Sequence, residues 1–200
     1  MNIRIIALCF MFVTSLGLAQ EPREAARAAA AERAAMLQTL QKGKPLTAGR
    51  ERYQHLPEVL AVARGAKETP EQAIARFGAS GSQLLETKGR LVLFRSTQQK
   101  SAFVERVGGS AVYPTVLNSR TGTFGVLLGT LVVKPMNMSE AAAIASSHGL
   151  EKAKEYPHLQ TVFYRVKSNT DIADAAAALQ ADPRVESAYP EILEHVRLPK

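Results

Sequence analysis

The chain has 200 residues, of which 46% are hydrophobic and 22% are charged. This composition supplies enough apolar side chains for one or two compact domains and argues against wholesale disorder. The formal net charge of +7 invites a nucleic-acid-binding interpretation, but the basic residues are spread along the chain and no basic run is interleaved with aromatic residues. We therefore expect a mildly basic, solvated surface and no nucleic-acid partner.

The N-terminal segment has the pattern of a secretory signal peptide. Residues 1–4 include a positive charge, residues 5–18 form an apolar run, and residues 17–19 offer small side chains for cleavage. The run of about 14 residues is shorter than the ~20 that a membrane-spanning helix requires. We expect cleavage after Ala19, a secreted or periplasmic location and no membrane attachment afterwards. Because Cys9 is the only cysteine, the mature chain would hold no disulfide.

Residues 20–82 are expected to form a helical, alanine-rich arm. Alanine, glutamate and arginine dominate residues 21–41 and favour helix, and a second helix is predicted near residues 56–64. A third helix is marked by a capping box, with Thr69 as the cap, Pro70 at the first helical position and Gln72 at the third.

Residues 83–123 are expected to form a small β-rich domain. Two strands flank a turn at Lys88 and Gly89, and the loop at residues 118–122 has the Asn and Gly residues typical of a hairpin connection. Strands are predicted at residues 84–85, 91–94, 111–117 and 123–134, and a short helix at residues 99–107.

Residues 124–191 predict an α+β domain. Helices are expected at residues 139–146, capped by Ser139, and 172–180, capped by Asn169 or Thr170, because cap residues precede apolar positions at helical spacing. The predicted order is strand, helix, strand, strand, helix, strand, which is the split βαβ arrangement of ferredoxin-like domains. Strands are expected at residues 124–134, 150–155, 161–166 and 185–189.

A ferredoxin-like sheet carries both helices on one face and leaves the other face uncovered. Alternation along the third strand predicts that Val162, Tyr164 and Val166 share one face. Thr161, Phe163 and Arg165 would then share the other. An open, partly apolar sheet face indicates a binding partner, although the fold by itself does not identify that partner.

Two segments resemble the propeptides of subtilisin-like serine proteases. The first runs through residues 129–135, 139–141 and 148–150, and the second spans residues 176–186 and includes the sequence Asp-Pro-Arg-Val-Glu. The sequence ends at Lys200 without a catalytic domain and is expected to carry its own signal peptide, and in these respects it is similar to the free-standing external chaperones of some secreted kexin-like subtilases. Those proteins carry an N-terminal β-rich region before the propeptide-like domain.

The resemblance implies an intermolecular chaperone and tight inhibitor of a secreted subtilisin-like protease. The open face, with Phe163 and Arg165, would pack on two surface helices of the enzyme, and Glu186 and Glu191 are candidates to cap those helices. Tyr189 departs from the family, which often has a carboxylate there. The C-terminal tail would lie in the substrate cleft, with Lys200 nearest the specificity pocket, and it comprises Ile192, Leu193, Glu194, His195, Val196, Arg197, Leu198, Pro199 and Lys200.

No catalytic chemistry is visible in the sequence. The four histidines lack metal-ligand spacing and are expected at the surface, and no glycine-rich phosphate loop opens a helix. We therefore expect no catalytic residues, no metal and no cofactor. Two alternatives stay open: an exported ferredoxin-like binding or adaptor module without a protease partner, and an enzyme whose site the sequence does not reveal.

Overall fold

The structure, a computed structural model, describes residues 21–77, 81–96, 105–107, 110–167 and 170–195. The described residues fall into two units, of which the first ends at Leu40 and the second begins at Gln41. In the first unit, helix α1 spans Glu21–Thr39 and confirms the helix predicted from its alanine-rich composition. The predicted signal peptide and its cleavage after Ala19 lie outside the described residues.

The first half of the second unit is mostly β-structure. The elements are β1 (Pro45–Ala48), β2 (Glu51–Ala63), α2 (Pro70–Ala75), β3 (Gln83–Lys88), β4 (Leu91–Arg95), β5 (Glu105–Val107) and β6 (Ser110–Asn118). The capping box predicted for the short helix α2 is present, because the Thr69 side chain accepts from the Gln72 amide and the Gln72 side chain accepts from the Thr69 amide. The β3–β4 hairpin turns at Gly89, which has a φ of 60°, as the sequence predicted.

Two helix predictions in this half are wrong. Residues 56–64 lie almost entirely within strand β2, so residues 41–63 do not continue a helical arm. Leu56 and Val59–Val62 are almost fully buried, and a continuous apolar run does not distinguish a buried strand from a helix by periodicity. The sequence also predicts a helix at residues 99–107, but residues 105–107 form strand β5. Residues 99–104 lie outside the described part of the chain.

The second half alternates strands and helices. Its elements are β7 (Phe124–Pro135), α3 (Ala141–Ser147), β8 (Glu151–Tyr156), β9 (Thr161–Arg165), α4 (Ile172–Gln180) and β10 (Val185–Leu193), with 3-10 turns at Met138–Glu140 and Pro157–Leu159. Asp171, rather than Asn169 or Thr170, caps α4, since its carboxylate accepts from the amides of Ala173 and Asp174. Ser139 does not cap α3; the Asn137 side chain instead accepts from the Ser139 amide.

One antiparallel sheet contains the strands of both halves. Neighbouring strands follow the order β3-β4-β2-β6-β7-β9-β8. In addition, β1 pairs with β2, β5 pairs with β6 and β10 pairs with β7. The predicted domain boundary between residues 123 and 124 falls in the β6–β7 hairpin, where Val116 pairs with Gly125, so the sheet is not divided there. A mixed α/β fold built on a large antiparallel sheet is therefore confirmed.

The core of the second half lies between the sheet and the two helices. Leu131, Val133, Val162 and Tyr164 pack with Ile144, Ile172 and Leu179, all of them essentially inaccessible to solvent. The Tyr164 hydroxyl donates to the carbonyl of Ala141 at 2.7 Å, which satisfies its polar group inside this core. A second core forms where α2 packs on β2 and β4, and it includes Leu60, Val62, Ile74, Phe77, Val92 and Phe94.

Candidate protein-binding face

The face of the second-half sheet opposite α3 and α4 is defined by strand alternation. On β9, Val162 and Tyr164 are buried toward the helices, whereas Phe163 is half-buried and Arg165 is exposed. On β7, Leu131 and Val133 are likewise buried. The alternation predicted for Val162, Tyr164, Phe163 and Arg165 is present in the structure. We call the side that carries Phe163 the open face.

An aromatic and aliphatic row crosses the centre of the open face. Val132 on β7 pairs with Tyr189 on β10 and with Phe163 on β9, and all three side chains are half-buried. The ring of Tyr156 on β8 meets that of Phe163 edge-to-face, with centroids 5.7 Å apart and an interplanar angle of 73°. This geometry is favourable for aromatic pairs and places apolar surface from four strands side by side.

Charged groups surround this row. Lys134 Nζ lies 2.8 Å from Glu186 Oε1, and Arg165 Nη1 lies 3.5 Å from Glu151 Oε1. The ammonium of Lys154 lies 5.4 Å from the centroid of the Tyr156 ring. A hydrogen bond with Tyr156 and, to a smaller extent, the negative charge of Glu191 raise the pKa of Lys154. An apolar centre with a charged rim is the usual anatomy of a protein–protein interface.

The docking residues predicted from the sequence occupy different places on this surface. Phe163 and Arg165 belong to the open face, and their part in binding stays a prediction. The carboxylate of Glu186 is paired with Lys134 through Oε1, and its part in capping a helix of the enzyme stays a prediction. Sequence reasoning missed Val132, Tyr156 and Tyr189, although alternation along β7, β8 and β10 gives the same signal that identified Phe163.

The predicted tail begins too early. Ile192 and Leu193 belong to β10 and pair with Leu127 and Val126 of β7. The strand continues through Pro190 because β10 has only β7 as a ladder partner in the described sheet, and an edge position tolerates a residue without an amide hydrogen. Glu194 is hydrogen-bonded to the sheet, and the His195 side chain is 74% exposed. Val196, Arg197, Leu198, Pro199 and Lys200 lie outside the described residues.

The Asp-Pro-Arg motif, residues 182–184, lies in the turn after α4 and forms hydrogen bonds with residues at the end of α3. Asp182 accepts hydrogen bonds from the Arg184 amide and guanidinium, at 3.0 Å and 2.9 Å to Oδ1 and 2.6 Å to Oδ2. His148 Nε2 lies 2.9 Å from Asp182 Oδ2, and Arg184 also donates to Ser147. The Arg184 side chain first, then its amide and His148, hold the pKa of Asp182 far below its usual range.

Asp182→Asn is expected to lower the melting temperature at pH 7 by several degrees. The lowered pKa means that the ionised carboxylate stabilises the folded chain above the ordinary pKa of about 3.9 and loses this contribution as the pH falls further. The difference in melting temperature between Asp182→Asn and the wild type should therefore become smaller below about pH 4. Thermal melts followed by circular dichroism, recorded from pH 7 to pH 2, measure both melting temperatures.

Asp174→Asn is the matched control for that melt series. Asp174 pairs with Lys44, but its side chain is 65% exposed, and exposed ion pairs contribute little to stability. If Asp182→Asn shifts the melting temperature no more than Asp174→Asn does, the interpretation of the Asp182 cluster is wrong.

The described residues show no metal-binding cluster of three or more His, Cys, Asp or Glu side chains. The expectation that all four histidines are surface residues is wrong for His55, which is only 8% exposed because it lies on the buried side of β2. In the part of the chain that is described, no helix is both long and apolar enough to cross a membrane.

The sheet and its surface define a class of protein: a mixed α/β protein in which α3 and α4 cover one side of the second-half sheet and the amphipathic open face lies on the other. The chain belongs to the family described as open reading frame 2 N-terminal domain, whose model matches residues 67–197. This membership confirms the resemblance to protease propeptide-like and chaperone-like proteins. The matched region begins just before α2 and ends after β10, so α1, β1 and β2 lie outside it.

One solved structure is similar to part of the chain. It is a chain from the crystal structure of the Aeromonas sobria serine protease (ASP) and the chaperone (ORF2) complex, with 21% sequence identity. The match covers 48% of this chain and 99% of that chain, with a TM-score of 0.37, which is too low to support an argument about function. No curated protein matches this sequence.

Proposed function

We propose that this protein is a chaperone of a serine protease and binds the enzyme through the open face. The observation that carries the proposal is the row of half-buried Tyr189, Val132 and Phe163 with a rim of charged residues. Such a surface matches the composition of protein interfaces. Membership in the family and the propeptide-like motifs support a protease as the partner.

The second half of the sheet is, in this proposal, a propeptide-like ferredoxin platform. Its elements follow the order strand, helix, strand, strand, helix, strand, and the strands lie in the order β10-β7-β9-β8 with antiparallel pairing throughout. That order belongs to the split βαβ arrangement. The propeptide resemblance supports a subtilisin-like enzyme as the partner, and the signal-like residues 1–19 support an encounter outside the cytoplasm.

In this proposal, residues 196–200, which follow the sheet, inhibit the protease. After β10 ends at Leu193, the segment 196–200 contains two basic residues, Arg197 and Lys200. An extended segment binds a protease cleft by main-chain hydrogen bonds, while side-chain pockets supply specificity. A basic segment fits an enzyme that cleaves after basic residues.

Co-expression tests the chaperone function. A secreted subtilisin-like serine protease from the same organism is produced with and without this chain, and protease activity in the culture medium is measured. We expect active enzyme only when this chain is present. Equal activity in both cultures would reject the proposal and favour the adaptor alternative, in which the open face binds a protein other than a protease.

Truncation after His195 is expected to weaken inhibition by about 100-fold while the protein still binds the protease. A few buried contacts of about 3 kcal/mol in total account for such a loss, and the open face would retain the remaining affinity. Inhibition constants with a fluorogenic peptide ending in arginine, together with calorimetric binding constants, measure the two effects separately.

The truncated chain needs a control for the loss of charge. Arg197→Gln with Lys200→Gln keeps the length and removes both charges, and an intermediate inhibition constant is expected because the main-chain contacts persist. Unchanged inhibition by the truncated chain would reject the role assigned to this segment and leave the chaperone proposal standing.

A further inference from the structure

Glu194, the first residue after β10, is held by side chains from three strands of the other half of the unit. Its Oε1 accepts a hydrogen bond of 2.9 Å from Asn118 Nδ2 at the end of β6. Its backbone carbonyl accepts from Lys88 Nζ at 2.7 Å, at the end of β3. The Tyr53 side chain of β2 also hydrogen-bonds the Glu194 carboxylate. We call Tyr53, Lys88, Asn118 and Glu194 the tether.

The partners of Glu194 in the tether, Tyr53, Lys88 and Asn118, are buried, whereas the Glu194 side chain is 21% exposed. The Lys88 side chain is only 5% exposed, and its ammonium also donates to Glu86 at 2.9 Å. A buried ammonium is tolerated only when it is paired and hydrogen-bonded, so the Glu194 carbonyl contributes to keeping Lys88 in place. Burial and then the hydrogen bond to the Glu194 carboxylate raise the pKa of Tyr53 to about 12.

Packing fixes the strand just before the tether. Ile192 lies directly over Gly125 of β7, where a Cβ would stand 2.5 Å from Ile192 Cγ2. Ile192 also packs against the core that contains Val116 and Leu127. The chain is therefore held at residue 192 by apolar contact and at residue 194 by hydrogen bonds, and only His195 separates the tether from residues 196–200.

We propose that the tether sets the position and direction in which residues 196–200 leave the sheet, and that its members are positioning residues for inhibition of the protease. This inference rests on the proposed function. A segment that is already oriented loses less conformational freedom on binding than a free one. The first half of the unit thereby contributes to inhibition without touching the enzyme's cleft.

Asn118→Asp breaks the hydrogen bond between residue 118 and Glu194. The new carboxylate keeps the oxygen that accepts from the amides of Arg120 and Thr121, at 2.9 Å and 3.1 Å, so the β6–β7 loop retains its hydrogen bonds. Its other oxygen faces Glu194 and also Glu51, whose Oε2 lies 3.3 Å from Asn118 Nδ2. We expect inhibition of the partner protease to weaken about tenfold, as for contacting pairs in double-mutant cycles.

Glu194→Gln provides the rescue. In the Asn118→Asp, Glu194→Gln double variant, the glutamine amide donates to the aspartate, which exchanges donor and acceptor across the same contact. Inhibition should return to within about threefold of wild type. In chains truncated after His195, Asn118→Asp should leave protease binding unchanged. An equal loss of affinity in truncated and full-length chains, or no rescue by Glu194→Gln, would overturn the inference.

Hydrogen exchange in the free protein separates this inference from the proposed function. Mass spectrometry of a peptide covering residues 190–200 should show about tenfold faster amide exchange in Asn118→Asp than in wild type, because local opening becomes easier. Equal amide exchange rates in Asn118→Asp and in the wild type would show that the tether does not hold residues 196–200 in position. If the wild-type chain neither binds nor inhibits the protease while exchange responds as expected, the proposed function fails and the tether remains only a structural element.

Discussion

Phe163→Glu is expected to weaken binding of the serine protease by about 30-fold or more, the effect of losing one interface hot spot of at least ~2 kcal/mol. Phe163 lies at the centre of the row that joins Tyr189, Val132 and Tyr156. A carboxylate at this position would have to be desolvated against apolar surface without a partner, which is costly. Calorimetry or surface plasmon resonance with an inactive form of the protease measures the change.

The free variant should remain folded. Phe163 is only half-buried, and its core-facing neighbours Val162 and Tyr164 are untouched, so thermal melts should show a small change beside the loss of affinity. Inhibition should weaken along with binding, in contrast to truncation after His195, which affects inhibition far more than binding.

Leu84→Glu is the control for the change of chemistry. Leu84 is an apolar residue on strand β3 with 39% exposure, and β3 lies at the opposite end of the sheet path from β8. The same substitution there should leave the affinity unaltered. If Phe163→Glu binds as tightly as Leu84→Glu, the enzyme does not dock on the open face.

Gly125→Ala is expected to lower the free energy of unfolding by about 1–3 kcal/mol, the usual cost of overpacking a core. A Cβ at this position would lie 2.5 Å from Ile192 Cγ2 and 3.0 Å from Val116 Cγ2. Both methyl groups are attached to a branched Cβ, so neither side chain moves aside without changing its rotamer. Urea denaturation, with the slope compared between variants, measures the change.

Two further variants make this prediction specific. Gly65→Ala is the matched control, since a Cβ there meets only Glu68 at 3.5 Å, an ordinary contact. Ile192→Ala removes the methyl group that clashes, so the Gly125→Ala, Ile192→Ala pair should be less destabilised than the sum of its single variants. Additive single effects, or a fully stable Gly125→Ala protein, would show that β10 does not pack on Gly125.

Local sequence signals predicted the elements whose causes are local. The capping box at Thr69 and Gln72 formed because both partners lie within one turn of helix. Alternation along β9 placed Phe163 and Arg165 on the open face because successive side chains of a strand point to opposite sides. The propeptide resemblance, carried by motifs such as Asp-Pro-Arg-Val-Glu, likewise required no long-range information.

The failures occurred where a residue's neighbours come from distant parts of the chain. Local pattern predicts a helix near residues 56–64, but β2 is paired with β4 on one side and β6 on the other and is buried. Burial on both faces removes the alternation that marks a strand. The same reasoning ends the last strand at Tyr189, before Pro190, whereas the edge position of β10 allows it to continue to Leu193.

The sequence by itself determined the capping box of α2, the two faces of strand β9 and the family resemblance, since each depends on residues close together in the chain or on a recognisable motif. Only the tertiary structure decided that both halves share one sheet and that Glu194 is fixed rather than free. Lys88 and Asn118 are 106 and 76 positions away from Glu194, and nothing in a local pattern specifies a hydrogen bond over that separation. Such contacts arise only once the strands have paired.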